Sequence, residues 1–127
     1  MAQELKRYDY RFDNSYTADT DTDVLTAGAS GTKLIIQNFV IANITSTDPI
    51  KITIKFKRYD SGSASYVERI ITHDFGLNSN DTLSVAELYN MVLYGDDTNP
   101  DKITVSLDTA PGTDEYVDII ASALEVS

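Results

Sequence analysis

The residues in this sequence that could do chemistry are few, and their spacing rarely suits it. The single histidine, His73, stands in an alternating segment, and the chain has no cysteine. It therefore lacks partners for a zinc site or a nucleophilic dyad, and a sheet-surface or satisfied core histidine is the plainer reading. Asp19, Asp21 and Asp23 open like a calcium loop. Val24 then stands where the turn glycine belongs, and Ser30 where a bidentate glutamate belongs. Asp97, Asn99 and Asp101 repeat the spacing more weakly, and both series read as solvated acidic turns. A pair of carboxylates could serve glycoside hydrolysis, but no pair stands in a recognisable context, and there is no tryptophan to carry a sugar. No glycine-rich phosphate loop occurs. No catalytic residue, cofactor or metal is expected, and no enzymatic activity.

Side chains suited to recognition are more plentiful. The chain has 8 tyrosines, most of them flanking strands or loops. Tyrosine buries a large apolar area behind a polar tip, which suits protein interfaces and equally suits the open ends of a sandwich. Lys51, Lys55, Lys57, Arg58 and Arg69 form a basic band, while the formal net charge is -10. That charge argues against nucleic-acid binding. The acids gather at Asp9–Asp23, at Asp96, Asp97 and Asp101, and at Asp114–Asp118. The band either docks on an acidic partner or guards a sheet edge. The expected interface residues are Leu5, Tyr8, Tyr10, Phe12, Lys51, Lys55, Lys57, Arg58, Tyr59, Tyr66, Tyr89 and Tyr94.

The elements that position these groups are strands. Lys33 to Tyr59 reads as a long antiparallel hairpin: a branched apolar strand to Ile44, a turn at Thr45–Pro49, then Ile50, Ile52, Ile54 and Phe56 alternating with polar residues. Tyr66 to Phe75 alternates imperfectly, leaving its buried face open. From Val85 to Tyr94, one or two helical turns running into a strand are expected, with Ser84 and Glu87 at capping-box spacing. Ile103, Val105 and Leu107 mark another strand. Val117, Ile119, Ala121 and Ala123 share one face of the last. Residues 1–22 are an N-terminal arm or an edge strand, and 23–127 a β-sandwich domain. In an all-β chain of 127 residues this predicts an antiparallel, jelly-roll-like sandwich of about eight strands with at most one short helix. The opening MAQELKRYDY has no apolar stretch like that of a secretory leader, and no apolar run approaches bilayer length. No membrane contact is expected, and synthesis is expected in a host cytoplasm.

From Lys33 onward the pattern resembles the small β-sandwich virion proteins of tailed bacteriophages. The resemblance is carried by LIIQNFVIAN with a polar turn and KITIKF, by MVLYGDDTNPDKITVSL, and by the closing VDIIASALE. It covers about three quarters of the chain, rests on pattern, and brings no catalytic residues. It implies a capsid decoration (cement) protein that binds and stabilises the lattice, located on the capsid exterior. Its partners would be the major capsid protein or other virion proteins, and it would form a homo-oligomer such as a trimer. The alternatives are a neck or tail accessory protein and, from another class, a carbohydrate-binding module.

Overall fold

Alternation decides which side chains turn inward, and the order of strands decides what they meet. The computed structural model describes residues 2–127. The strands are β1 (Gln3–Phe12), β2 (Thr22–Thr26), β3 (Lys33–Ile44), β4 (Ile50–Asp60) and β5 (Ser65–Leu77). After them come β6 (Thr82–Ser84), a 3-10 turn at Ala86–Leu88, β7 (Val92–Tyr94), β8 (Lys102–Leu107) and β9 (Tyr116–Val126). One sheet runs β1-β9-β3-β6, with β7 beside β6 on the same edge of β3; the other runs β2-β8-β4-β5. All pairings are antiparallel. This is the expected jelly-roll-like sandwich.

The inner face of β3 (Leu34, Ile36, Phe39, Ile41) and that of β4 and β8 (Ile50, Ile52, Ile54, Ile103, Val105, Leu107) are fully buried. Each such side chain contributes about 1.5–3 kcal/mol relative to an exposed one. β9 adds Val117, Ile119, Ala121 and Ala123, the face its alternation predicts.

The expected β3–β4 hairpin does not form: β3 pairs with β9, β6 and β7 in one sheet, and β4 with β8 and β5 in the other. The two strands face each other across the core. Alternation records which face is greasy, and two greasy faces can meet by stacking as well as by sharing a sheet. The corner between them is held by Asn43, fully buried in β3. Its Nδ2 donates to the Leu77 carbonyl at the end of β5 (2.8 Å), and its Oδ1 accepts from Thr45 Oγ1 (2.7 Å). Among consecutive strands, the laddered hairpin is β4–β5 instead.

The expected helical turn running into a strand is present as the 3-10 turn at Ala86–Leu88 and β7. The turn caps on Val85 with no side-chain hydrogen bond, so the Ser84–Glu87 box is not used. In β5 a register shift opposite Ile52 and Ile54 breaks parity, which is why its alternation reads imperfectly. Gly95 is required by close approach. A Cβ there would strike the Ala29 carbonyl oxygen and lie 2.5 Å from Thr32 Oγ1 and 2.8 Å from the Gly28 carbonyl oxygen.

Candidate interaction surfaces

The sandwich has two outer faces of opposite character. Register places Lys55, Lys57, Lys102, Thr104, Glu68 and Ile70 on the outside of the β2-β8-β4-β5 sheet. There Asp21, from the segment before β2, lies between two ammonium groups: Lys57 Nζ at 2.9 Å and Lys55 Nζ at 3.1 Å. Glu68 stands 3.3 Å from Lys55 and 3.4 Å from Lys57. Burial opposes ionisation of Asp21, but the hydrogen bonds from Lys57 and Lys55 outweigh it and hold its carboxyl below the usual range. The lysines are raised in turn: Lys55 chiefly by its hydrogen bond to Asp21, and Lys57 by the same partner against the cost of burial. Lys102 closes on Asp23 at 3.1 Å. This face is charged, and largely self-neutralised.

The outside of the five-stranded sheet alternates apolar rows with polar ones. Its first row is Leu5, Leu124, Ile35 and Val92, laid side by side across β1, β9, β3 and β7. A polar row of Arg7, Ser122 and Asn38 follows, then Ile120 and Val40 between Asp9 and Ser84, then Arg11, Asp118 and Ala42, and last Tyr116 and Ile44. Leu5 is 67% exposed, Ile44 47% and Ile120 43%. The charges on this face are few and mostly paired. Arg7 donates to Asp9 (2.9 Å), and Arg11 grips Asp118 with Nε and Nη2 (2.7 and 2.8 Å). Lys33 stands over Tyr94, its Nζ 5.5 Å from the ring centroid.

The residues singled out from sequence are scattered over these surfaces. Tyr8, Tyr10 and Phe12 turn inward on β1, with Phe12 in the core, while Leu5, one residue out of step, faces outward. β1 itself lies along β9 of its own chain, at the sheet edge. Arg58 bends over the end of the sandwich to Asp101, a buried carboxylate 2.8 Å from Arg58 Nη2 that also accepts the Tyr94 amide (2.9 Å). That pairing raises the Arg58 pKa. Lys51 makes no ion pair among the described residues, and its amide donates to Asp108 (2.9 Å). Tyr59 and Tyr66 stack edge to face, and Tyr66 Oη donates to the Pro100 carbonyl (2.9 Å). Tyr89 Oη donates to Asn38 (3.2 Å). Several tyrosine hydroxyls are thus spent inside the chain. The acidic triplet diverges, with Asp21 and Asp23 going to lysines and the Asp19 amide to the Leu107 carbonyl. Among the described residues no cluster of metal-ligating side chains forms, and no helix is long and apolar enough to cross a membrane.

Sequence reasoning passed over Ile120, Val40, Ile44, Ile35 and Leu124. A signal was present, because β3 and β9 are apolar at both parities.

An open cleft of about 650 Å³ is lined by Phe56, Arg58 and Tyr59 of β4, Val67 and Arg69 of β5, and Met91 beside β7, among others.

No protein-family model and no curated protein matches the chain. Among solved structures, a chain of infectious bursal disease virus Gx strain is similar at 13% identity and a TM-score of 0.49, over 98% of this chain and 33% of that one. STIV MCP is similar at 12% identity and 0.48, over 97% of this chain and 41% of that one. A chain of the cyanophage Pam1 capsid asymmetric unit is similar at 11% identity and 0.45, over 97% and 83%. The chain thus spans about a third of the length of the first of these.

Proposed function

We propose that the chain is a non-enzymatic structural protein of a phage virion, a capsid decoration (cement) protein that binds the capsid lattice from outside. The observation that carries this is the outer face of the five-stranded sheet. It exposes Leu5, Ile44 and Ile120 beside half-buried Ile35, Val40 and Leu124 on a rigid jelly-roll frame, an assembly surface rather than a solvated one. The resemblance of LIIQNFVIAN and VDIIASALE to small virion sandwich proteins agrees with it. Lys51 and Arg69 remain proposed contacts for an acidic lattice partner, as does the N-terminal strand. The test is mass spectrometry of purified particles. Copy number at lattice stoichiometry supports decoration, a handful of copies per particle supports a neck or tail accessory, and absence from particles overturns the virion reading. The cleft beside Tyr59 favours a second reading, carbohydrate binding, which requires glycan-array binding lost on substituting Tyr59.

A further inference from the structure

We infer that the outer face of the five-stranded sheet binds a second copy of this chain, sheet against sheet. In an antiparallel sandwich the outer face meets water and alternates with the core face. β4 and β8 carry polar residues on their outer side, with Lys55, Lys57 and Lys102 opposite in parity to their buried isoleucines. β3 and β9 carry apolar ones there as well. Ile35 lies between buried Leu34 and Ile36, Val40 between Phe39 and Ile41, and Ile120 between Ile119 and Ala121. Two-sided apolar strands are those with a layer on each side, and this chain supplies only the inner one.

Size and charge select a second copy as the missing layer. Four strand widths and about ten residues of length give a footprint of about 650 Å² at ordinary strand dimensions. Pleating raises the accessible area toward the roughly 800 Å² per partner of a stable interface. The chain carries a net charge of -10, so two copies repel wherever acidic loops meet. On this face Arg7, Arg11 and Lys33 outnumber Asp9 and Asp118 by one, so two copies can close here without an acidic excess. Ile120 and Val40 lie near its middle, where an in-plane two-fold axis through the centre of the face sets them beside their own counterparts.

The inference takes the assembly face that carries the virion reading and gives it to a second copy, leaving the rest of the surface to the lattice, and the two fail separately. Sedimentation of the full chain at about 10 µM should give a dimer, an affinity usual for an interface of standard size. Ile120→Glu should weaken it by about a hundredfold or more by placing unpaired carboxylates in the contact. Leu5→Glu, at a more exposed position and so safer for folding, should act in the same direction. Ile70→Glu, outside the other sheet, should leave the dimer intact. Circular dichroism checks that each variant is folded. A wild-type chain monomeric at about 100 µM, or an oligomer indifferent to both face substitutions, overturns the inference. A monomer that loses particle binding on Ile120→Glu also overturns it, and gives the face to the lattice. A dimer absent from particles leaves it standing and removes the virion reading instead.

Discussion

Phe12 decides what the N-terminal strand is. It is 1% exposed and touches two rings edge to face, Tyr10 at 4.9 Å and Tyr16 at 5.0 Å between centroids. Phe12→Ala removes a buried benzyl group and leaves a cavity, at a cost of about 3–5 kcal/mol. Part of that is the loss of aromatic pairs worth about 0.5–1.5 kcal/mol each. A domain of this size has roughly 5–15 kcal/mol to lose. At about 3–5 °C per kcal/mol for a chain of this length, the melting temperature should fall by roughly 10–20 °C. Thermal melts followed by far-UV circular dichroism measure it. Arg7→Ala, on the outer face of the same strand, should change the stability of the isolated chain by no more than about 0.5 kcal/mol. Deleting residues 1–13 should leave a chain that does not fold, because it removes Phe12 and bares the whole edge of β9. If β1 were an arm ordered only on a neighbour, Phe12 would be in water in the isolated protein. A Phe12→Ala melt within about 3 °C of wild type would refute the edge-strand reasoning.

Asn43→Ala should lower the urea midpoint at unchanged slope by the equivalent of about 1–3 kcal/mol, since it takes the amide donor from the Leu77 carbonyl and the short acceptor from the Thr45 hydroxyl, which keeps only its contacts to Thr47. An effect near zero would mean that the corner is held by packing alone. Asp21→Asn should cost about 1 kcal/mol at neutral pH. Because the folded-state pKa of Asp21 is depressed, its contribution is present above the ordinary carboxylate value of about 4 and fades as pH falls through the lower folded value. Unfolding curves of the two proteins should therefore converge in acid, and a gap independent of pH would refute the ion-pair account.

What was legible in the sequence was parity. Ile50, Ile52 and Ile54, then Ile103, Val105 and Leu107, then Val117 and Ile119, each name their own buried face, and strands with such faces stack into a sandwich. What was not legible was adjacency. Thr45–Pro49 is five residues long and reaches roughly 17 Å when extended. That spans the roughly 4.8 Å to a neighbouring strand and equally the roughly 10 Å to an opposing sheet, so nothing local told hairpin from corner. The charged face was half legible: alternation put Lys55 and Lys57 outside, but their partner Asp21 comes from another part of the chain.

The apolar face was legible in a different sense. Leu5, Ile35, Val92 and Leu124 are far apart in sequence and become a row only through the order β1-β9-β3-β7, which no single strand encodes. Yet LIIQNFVIAN and VDIIASALE each carry more apolar residues than one buried face can use. Read alone, such a strand says only that it is deeply buried. Set in a two-layer fold it says more, because a strand in two layers has one protein side and one solvent side. The surplus at Ile35, Val40 and Ile120 therefore faces away from the core of the folded chain. Single exposed apolar residues are ordinary on protein surfaces, but these gather on one face of adjacent strands, in rows separated by Arg7, Ser122 and Asn38. A partner layer accounts for that arrangement, whereas the exposed apolar residues of the other sheet, Val67, Ile70 and Phe75, all belong to its edge strand β5 and leave its central strands β4 and β8 polar outside.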